Sequence, residues 1–155
     1  MIHIINPTIN ASPGIIKKLP TPKKNEYIDN IVSQNIAISK QDWDAHETSW
    51  DFQRNELLSI DEDTYMENIN YEIEKHYEET GEHICIDPAA PQFDSLAWRI
   101  EQYKQKWERK FMQLHKNEEE LNRQFIDIYG LQDELTPDVP LSEITILQQG
   151  EISIE

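Results

Sequence analysis

Three side chains with metal-binding or nucleophilic chemistry stand close together in the sequence: His83, Cys85 and Asp87. His83 and Cys85 flank Ile84, so an extended segment would place both on the same side. A zinc site needs about four convergent ligands, and two alternating side chains supply half of such a set. A small enzyme with a site at these residues is therefore a third hypothesis, after the two developed below.

Basic residues at a regular spacing are the other candidates for chemistry, because a row of cations can follow a phosphate backbone. Arg109, Lys116 and Arg123 recur every seven residues. Acidic residues stand beside them at helical spacings of three and four, and the segment 61–80 is strongly acidic. We expect the basic row to form ion pairs inside the chain. The run Glu118–Glu120 is expected to be a solvated helix face.

The overall charge limits the partners that the chain can bind directly. Its 30 acidic and 14 basic residues give a formal net charge of −16. DNA-binding surfaces gain affinity from Lys and Arg, so this chain is expected to meet DNA only indirectly. Hydrophobic residues make up 37% of the chain, below the globular norm of about 45–50%. This composition predicts a thin core built on a few large side chains.

Cysteine count and hydropathy bear on the cellular compartment. Cys85 is the single cysteine, so no internal disulfide can form, which fits a reducing cytoplasm. No stretch approaches about 18 consecutive apolar residues, and the N-terminus lacks the regions of a signal peptide. We expect a soluble, cytoplasmic chain that makes no contact with a membrane.

Hydrophobic periodicity predicts two helices in the middle of the chain. The first spans 61–80, with Asp61 as its N-cap and Gly81 as its stop. The second begins after Asp94 or Ser95, ends at Tyr129 before Gly130, and would be about 50 Å long. Their apolar stripes are Tyr65, Ile69, Ile73 and Tyr77 in the first, and Leu96, Ile100, Tyr103, Trp107, Phe111, Leu114, Leu121, Phe125 and Ile128 in the second.

These elements predict a mainly α fold in which the shorter helix packs antiparallel to the long one as a helical hairpin. The second half of the long helix must then bury its stripe against the N-terminal segment, a second copy or an absent domain. Up to about residue 32, closely spaced prolines favour a small irregular or β segment, with a short strand at Ile15 and Ile16. Ser39 or Asp42 can cap a short helical turn. We divide the chain into 1–52, the hairpin 53–130 and an extended tail 131–155.

Two longer runs carry a resemblance to a known family. The run NEEELNRQFIDIYGLQDELTP at 117–137 and the run NIAISKQDWDAHETSWDF at 35–52 are similar to segments of the large adenine-specific DNA methyltransferases of phage-exclusion systems, the BREX or PglX-type enzymes, and of related type IIG restriction-modification proteins. A shorter match, NPTIN at 6–10 followed by GIIKKLP at 14–20, looks like the last strand region of their catalytic domain.

The resemblance implies a piece of a larger enzyme rather than a complete catalyst. Such an enzyme needs a glycine-containing turn for S-adenosylmethionine and an Asn/Asp-Pro-Pro-Tyr/Phe tetrad for the flipped adenine. Asn6-Pro7-Thr8 and Asp87-Pro88-Ala89 lack the second proline and the aromatic residue, and the four glycines are too far apart for the turn. We therefore predict no catalytic, cofactor-binding or metal-binding residue here, and expect S-adenosylmethionine only in the full-length enzyme.

The region resembled lies between the catalytic and target-recognition domains, so the implied role is to pack on the first and position the second. The residues expected at this interface are Trp50, Phe52, Trp98, Trp107, Phe111, Leu121, Phe125 and Tyr129. Self-association through the long helix is a further expectation. The second hypothesis is a free-standing acidic helical interaction protein, one form of which is a DNA mimic that occupies the basic cleft of a DNA-handling enzyme.

Overall fold

A computed structural model of the chain describes residues 23–86, 95–144 and 146, and within these residues the fold is mainly helical. Its elements are α1 (Glu26–Asp44), α2 (Glu62–Thr80) and α3 (Leu96–Tyr129), with 3-10 turns at Glu56–Ser59 and Leu141–Glu143. The described residues contain no strand. The predicted strand at residues 15–16 lies outside them.

Helix α1 corrects the prediction for the start of the chain. Asn25 caps it by accepting a hydrogen bond of 3.0 Å from the Tyr27 N–H, and two acidic residues follow in the first turn. Ile28, Ile31 and Ile38 are buried along one face. The expectation of extended structure was wrong for residues 26–32, and so was that of only a short turn after Ser39, because the proline breakers end at residue 22 and this apolar spacing supports a full helix. The rest of that prediction, for residues 1–22, lies outside the described residues.

Helix α2 begins and ends as predicted. The Asp61 carboxylate accepts 2.9 Å and 2.8 Å hydrogen bonds from the backbone N–H and hydroxyl of Thr64. Gly81 terminates the helix with φ of 73° and donates its N–H to the Tyr77 carbonyl at 2.9 Å. This is the left-handed C-terminal motif that glycine favours. Ile69 is buried on the inner face.

Helix α3 is the 34-residue central element. Gly130 has φ of 65°, and its N–H and that of Leu131 donate to the carbonyls of Asp127 and Ile126, which is a Schellman cap. The predicted end at Tyr129 is confirmed. Ser95 occupies the N-cap position as predicted, but its side chain makes no capping hydrogen bond.

Helix α1 runs antiparallel to α3, as its cross-helix contacts show. Tyr27 donates its hydroxyl to Glu120, Asn117 donates to Asn35 at 2.7 Å, and Lys110 donates to Gln41 at 2.8 Å. Residue numbers rise along α1 while they fall along α3. Of the three partners considered for the second half of α3, the structure therefore shows one, the N-terminal segment, in the form of α1.

Helix α2 runs parallel to α3, which overturns the predicted antiparallel hairpin. Asn68 contacts Gln102, Lys75 lies 3.6 Å from Glu108, and Lys116 lies 3.0 Å from Glu78, so residue numbers rise together along both helices. The 15 residues from 81 to 95 can span about 50 Å when extended, more than the length of α2, so the connector can carry the chain back to the start.

The tail after α3 folds back along it and closes the core. His115 Nε2 donates to the Val139 carbonyl at 2.7 Å, and Asn122 donates to the Pro137 carbonyl at 3.2 Å. Ile144 and Ile146 are buried in the main core cluster, which is completed by Ile38, Trp107 and Leu114. The predicted boundaries at residues 52 and 130 stay predictions. None of the helices in the described part of the chain is long and apolar enough to cross a membrane.

Candidate interaction surface

The residues with metal-binding chemistry do not form a cluster where the structure describes them. The His83 ring stacks on Tyr77 with 4.5 Å between centroids, and Cys85 is exposed. Asp87 lies outside the described residues. Across residues 23–86, 95–144 and 146, no three His, Cys, Asp or Glu side chains come together to hold a metal ion. The geometry gives His83 a packing role at the end of α2.

The basic row on α3 is used inside the molecule, as predicted. Arg109 pairs with Glu67 at 2.7 Å and Lys116 pairs with Glu78 at 3.0 Å, both on α2. Arg123 pairs with Glu120, one turn away. These contacts place a carboxylate beside each cation of the row, so the row is poorly suited to contact phosphates.

The acidic run at 118–120 is not the solvated face that we expected. Glu119 accepts a hydrogen bond of 3.3 Å from the Val139 N–H and lies 3.3 Å from His115, so it binds the returning tail. Gln124, Arg123 and Tyr27 donate hydrogen bonds to Glu120, and these bonds lower its pKa. Burial raises the pKa of Glu118. Because α1 and the tail cover this part of α3, each carboxylate is partly buried.

A polar network joins α1, the first 3-10 turn and α3. Glu56 accepts a 3.0 Å hydrogen bond from Trp107 Nε1 and a 2.9 Å bond from Gln41, and Lys106 lies 3.4 Å away. Lys110 donates to Gln41 at 2.8 Å, and burial together with the neighbouring cations lowers its pKa. The network ties the otherwise irregular segment 45–60 to the core helix.

An open cleft of about 520 Å³ lies over this network, between α1 and the loop that follows it. Its lining carries both signs of charge. Lys40 lies 2.6 Å from Asp44 and 2.7 Å from Asp51, so much of the charge in the cleft is compensated within it. The cleft has no convergent set of apolar and polar groups of the kind that holds a small ligand.

The eight predicted interface residues lie in different environments. Trp107 is 2% exposed and belongs to the core, and Phe111 packs against that core. Trp98 contacts Tyr65 with 5.9 Å between ring centroids, and Phe125 stacks on Tyr129 at 6.4 Å. Phe52 and Leu121 are half-buried, whereas Trp50 is fully exposed. Trp50 is the member most available to a partner, and the interface role of the set stays a prediction.

A second apolar surface on α1 was missed at the sequence level. Val32, Ile36 and Trp43 are 36%, 62% and 60% exposed. Their spacings of four and seven residues place them on one face of the helix, which we call the α1 stripe. The same spacing is visible in the sequence, and it would have identified the stripe had 26–44 been recognised as a helix.

Trp50 is fixed at the C-terminal end of α1 by short contacts of its neighbours. Ser49 is buried and donates its hydroxyl to Asp44 at 2.8 Å, and Lys40 pairs with Asp51 at 2.7 Å. The Asp51 N–H donates to the Ser49 hydroxyl at 3.2 Å. The loop therefore holds an exposed indole beside the helix that carries the stripe.

Comparison with known proteins adds the decisive observation. Over 150 residues, 94% of the chain, it is 29% identical to the adenine-specific methyltransferase PglX of Lacticaseibacillus casei (strain Zhang). The chain resembles a segment of these methyltransferases. The adenine-specific methyltransferase BrxX of Escherichia coli O9:H4 (strain HS) is 40% identical over 55 residues, 36% of the chain. The resemblance predicted from the two sequence runs is confirmed.

The match covers little of the relatives themselves. The chain spans 10% of the length of the PglX relative, and the BrxX match spans 4% of its relative. No family model matches the chain. No solved structure matches it either.

Proposed function

We propose that this chain is a non-catalytic helical connector within a BREX-type adenine-specific DNA methyltransferase. The similarity to PglX over 94% of the chain carries the proposal. In this role the chain packs on the catalytic domain, positions the target-recognition part and reaches DNA only through them. S-adenosylmethionine binds elsewhere in the enzyme, and the protein acts in the cytoplasm as part of a phage-defence system.

The sequence and the charge distribution support a connector over a catalyst. The chain lacks the proline-rich tetrad and the glycine-rich turn that adenine methylation requires. Its net charge of −16 and the internal pairing of Arg109 and Lys116 disfavour a direct grip on DNA. The long α3, packed by α1 along one side and α2 along another, forms a spacer of about 50 Å.

The test uses the complete polypeptide that cells make from the reading frame encoding this stretch. Transfer of labelled methyl groups from S-adenosylmethionine to adenine in duplex DNA is measured for that polypeptide. The matched control is the 155-residue chain alone, together with calorimetric titration of S-adenosylmethionine into it. We expect methylation by the complete polypeptide and neither methylation nor cofactor binding by the chain alone. Methyl transfer by the chain alone, or a complete reading frame without the tetrad, contradicts the proposal.

The acidic face of α2 favours a second candidate function. This helix carries seven acidic residues and one lysine, and most of its outward positions are exposed. A free-standing acidic protein could use such a face to occupy a basic cleft. Binding to a purified adenine methyltransferase that weakens steeply between low and high salt supports this candidate. Salt-insensitive binding through aromatic side chains supports the connector.

A further inference from the structure

We infer that the α1 stripe and Trp50 together form a docking surface for another part of the same methyltransferase polypeptide. The surface on the partner would present apolar pockets with a basic rim. This inference rests on the proposed function and names the face that makes the connection. Val32, Ile36 and Trp43 supply the helical part of the surface, and Trp50 supplies the loop part.

Helix α1 has two apolar faces, and only one of them is used in the described fold. Ile28, Ile31 and Ile38 are buried, and Ile38 belongs to the main core cluster. Val32 and Ile36 project from a face roughly 100° around the helix from that buried row. A helix that packs only on its own core needs one apolar face, so the second face requires a different explanation.

The surface is organised before any partner arrives. Helix α1 is held against α3 by the Asn117–Asn35 and Lys110–Gln41 hydrogen bonds of 2.7 Å and 2.8 Å. The loop that carries Trp50 is fixed through the buried Ser49. These contacts order the backbone that carries the exposed side chains, so less conformational entropy is lost on binding, and Trp is enriched among residues that dominate binding energy.

Charge selects the kind of partner. Four carboxylates stand on or beside α1 near the stripe, at residues 29, 44, 47 and 51, against two lysines: Lys24 lies 3.8 Å from Asp29, and Lys40 is shared by Asp44 and Asp51. Together with a net charge of −16, this acidic setting opposes a second copy of the chain, nucleic acid and an anionic membrane surface. A protein surface with apolar pockets and basic residues around them would complement both the apolar stripe and the acidic residues beside it.

The similarity to PglX indicates where such a partner surface would be found. The matched stretch is 10% of that relative, which leaves about nine-tenths of its length outside the match. A partner surface elsewhere in such a polypeptide would be tethered to the stripe, so the two surfaces would meet at a high effective concentration. DNA-binding parts of such an enzyme would carry Lys and Arg residues, which could surround the apolar pockets of the partner surface.

Site-specific photo-crosslinking in the complete polypeptide tests the inference. The photoreactive amino acid p-benzoylphenylalanine replaces Ile36 in one variant and Leu58 in the control. These side chains have similar exposure, 62% and 66%, and Leu58 lies in the 3-10 turn rather than on α1. We expect position 36 to crosslink to a Lys- or Arg-containing peptide of the same polypeptide outside the 155-residue stretch. Crosslinks to a second copy, crosslinks within the 155-residue stretch, or equal yields from both positions overturn the inference.

A charge substitution gives an independent readout. Ile36→Asp places a carboxylate in the apolar contact and is expected to lower adenine methylation about tenfold, while Leu58→Asp leaves it within about twofold. Circular dichroism checks that both variants keep their helical content. Absence of methylation by the unsubstituted polypeptide refutes the proposed function itself. Normal methylation with Ile36→Asp refutes only the docking surface.

Discussion

The two sides of α3 are built on different principles. On the α1 side the core is apolar: Trp107 and Leu114 pack with Ile38 and with the returning tail. On the α2 side ion pairs such as Arg109–Glu67 and Lys116–Glu78 line the contact, and the outer face is acidic. One long helix therefore contributes to a small apolar core on one side and forms ion pairs with a charged helix on the other.

The difference indicates where the stability of this unit lies. Burial of apolar surface contributes about 25 cal/mol per Å², whereas exposed ion pairs contribute about 0–1 kcal/mol each. The α1 side, with a tryptophan and three isoleucines almost fully buried, should therefore dominate the free energy of unfolding. The α2 side should open at a lower cost, because Ile69 is the one buried apolar residue of α2 and its ion pairs are partly solvated.

Each side nevertheless contains a hydrogen bond from a buried amide that fixes the alignment of its helices. Asn117 donates to Asn35 on the α1 side, and Asn68 donates to Gln102 on the α2 side, where both residues are buried. A buried amide finds its partner in one register only, and a slipped register would leave it without a hydrogen bond. Hydrogen bonds between these polar groups therefore specify the helix alignment, which a small apolar core alone would specify less strongly.

The largest effect is expected from Trp107→Ala, which breaks the α1 side. The change removes the largest buried side chain and leaves Glu56 without its indole hydrogen bond. We expect a loss of about 3–5 kcal/mol of unfolding free energy, measured by urea denaturation followed by circular dichroism. Trp50→Ala is the matched control, and a change within about 0.5 kcal/mol is expected because that side chain is exposed. Similar losses for both variants contradict the assignment of the core.

An intermediate effect is expected from Asn68→Ala, which tests the α2 side. The substitution leaves the buried Gln102 side chain without the 3.0 Å hydrogen bond from Asn68, and should cost about 1–3 kcal/mol in the same denaturation experiment. Asn70→Ala on the exposed face of α2 serves as control, with a change of about 0.5 kcal/mol or less. If the two variants are equally stable, the parallel docking of α2 is wrong.

The smallest effect is expected from Asp61→Ala, which removes the cap of α2. The hydrogen bonds from Thr64 lower the pKa of Asp61 below its ordinary value of 3.8. The folded state therefore binds fewer protons than the unfolded state in this range, so the stabilisation is present above about pH 4 and is lost as the pH falls through the lowered pKa. We expect a cost of about 1 kcal/mol at neutral pH.

The pH dependence of that cost is the diagnostic measurement for the cap. The difference between the original chain and Asp61→Ala should shrink toward zero in acid. Asp63→Ala, in the same first turn, is expected to cost only about 0.3–0.5 kcal/mol, because that side chain acts through the helix dipole alone. A cost for Asp61→Ala that does not change with pH would show that the carboxylate is not the stabilising group.

Local signals in the sequence predicted the bounds of α2 and α3 well. Asp61 acts through its side chain and Gly81 and Gly130 act through their own backbone, and each acts on residues close to it in sequence, so their effect can be predicted without knowing the rest of the fold. Helix α1 was missed because the prolines before residue 23 outweighed the regular spacing of Ile28, Ile31 and Ile38. The apolar stripe on its other face was missed for the same reason.

Local sequence signals could not predict the long-range features of the fold. A connector of 15 residues is long enough for either direction of α2, and the choice depends on the pairing of Asn68 with Gln102 and on the ion pairs. The return of the tail depends on Ile144 and Ile146 meeting Trp107 across the core. Trp50 and Trp107 were both predicted to lie at an interface, because the sequence alone does not show that the first is exposed and the second is buried.

The position of the tail also determines when this unit can finish folding during synthesis. The ribosome releases α3 before Ile144 and Ile146, yet these two residues share the core cluster with Trp107 in the folded molecule. The apolar stripe of a 34-residue helix therefore stays open while the last part of the described chain is made. Folding of the core is expected to end with the arrival of the tail, so a nascent chain stopped before residue 144 is a natural substrate for chaperones.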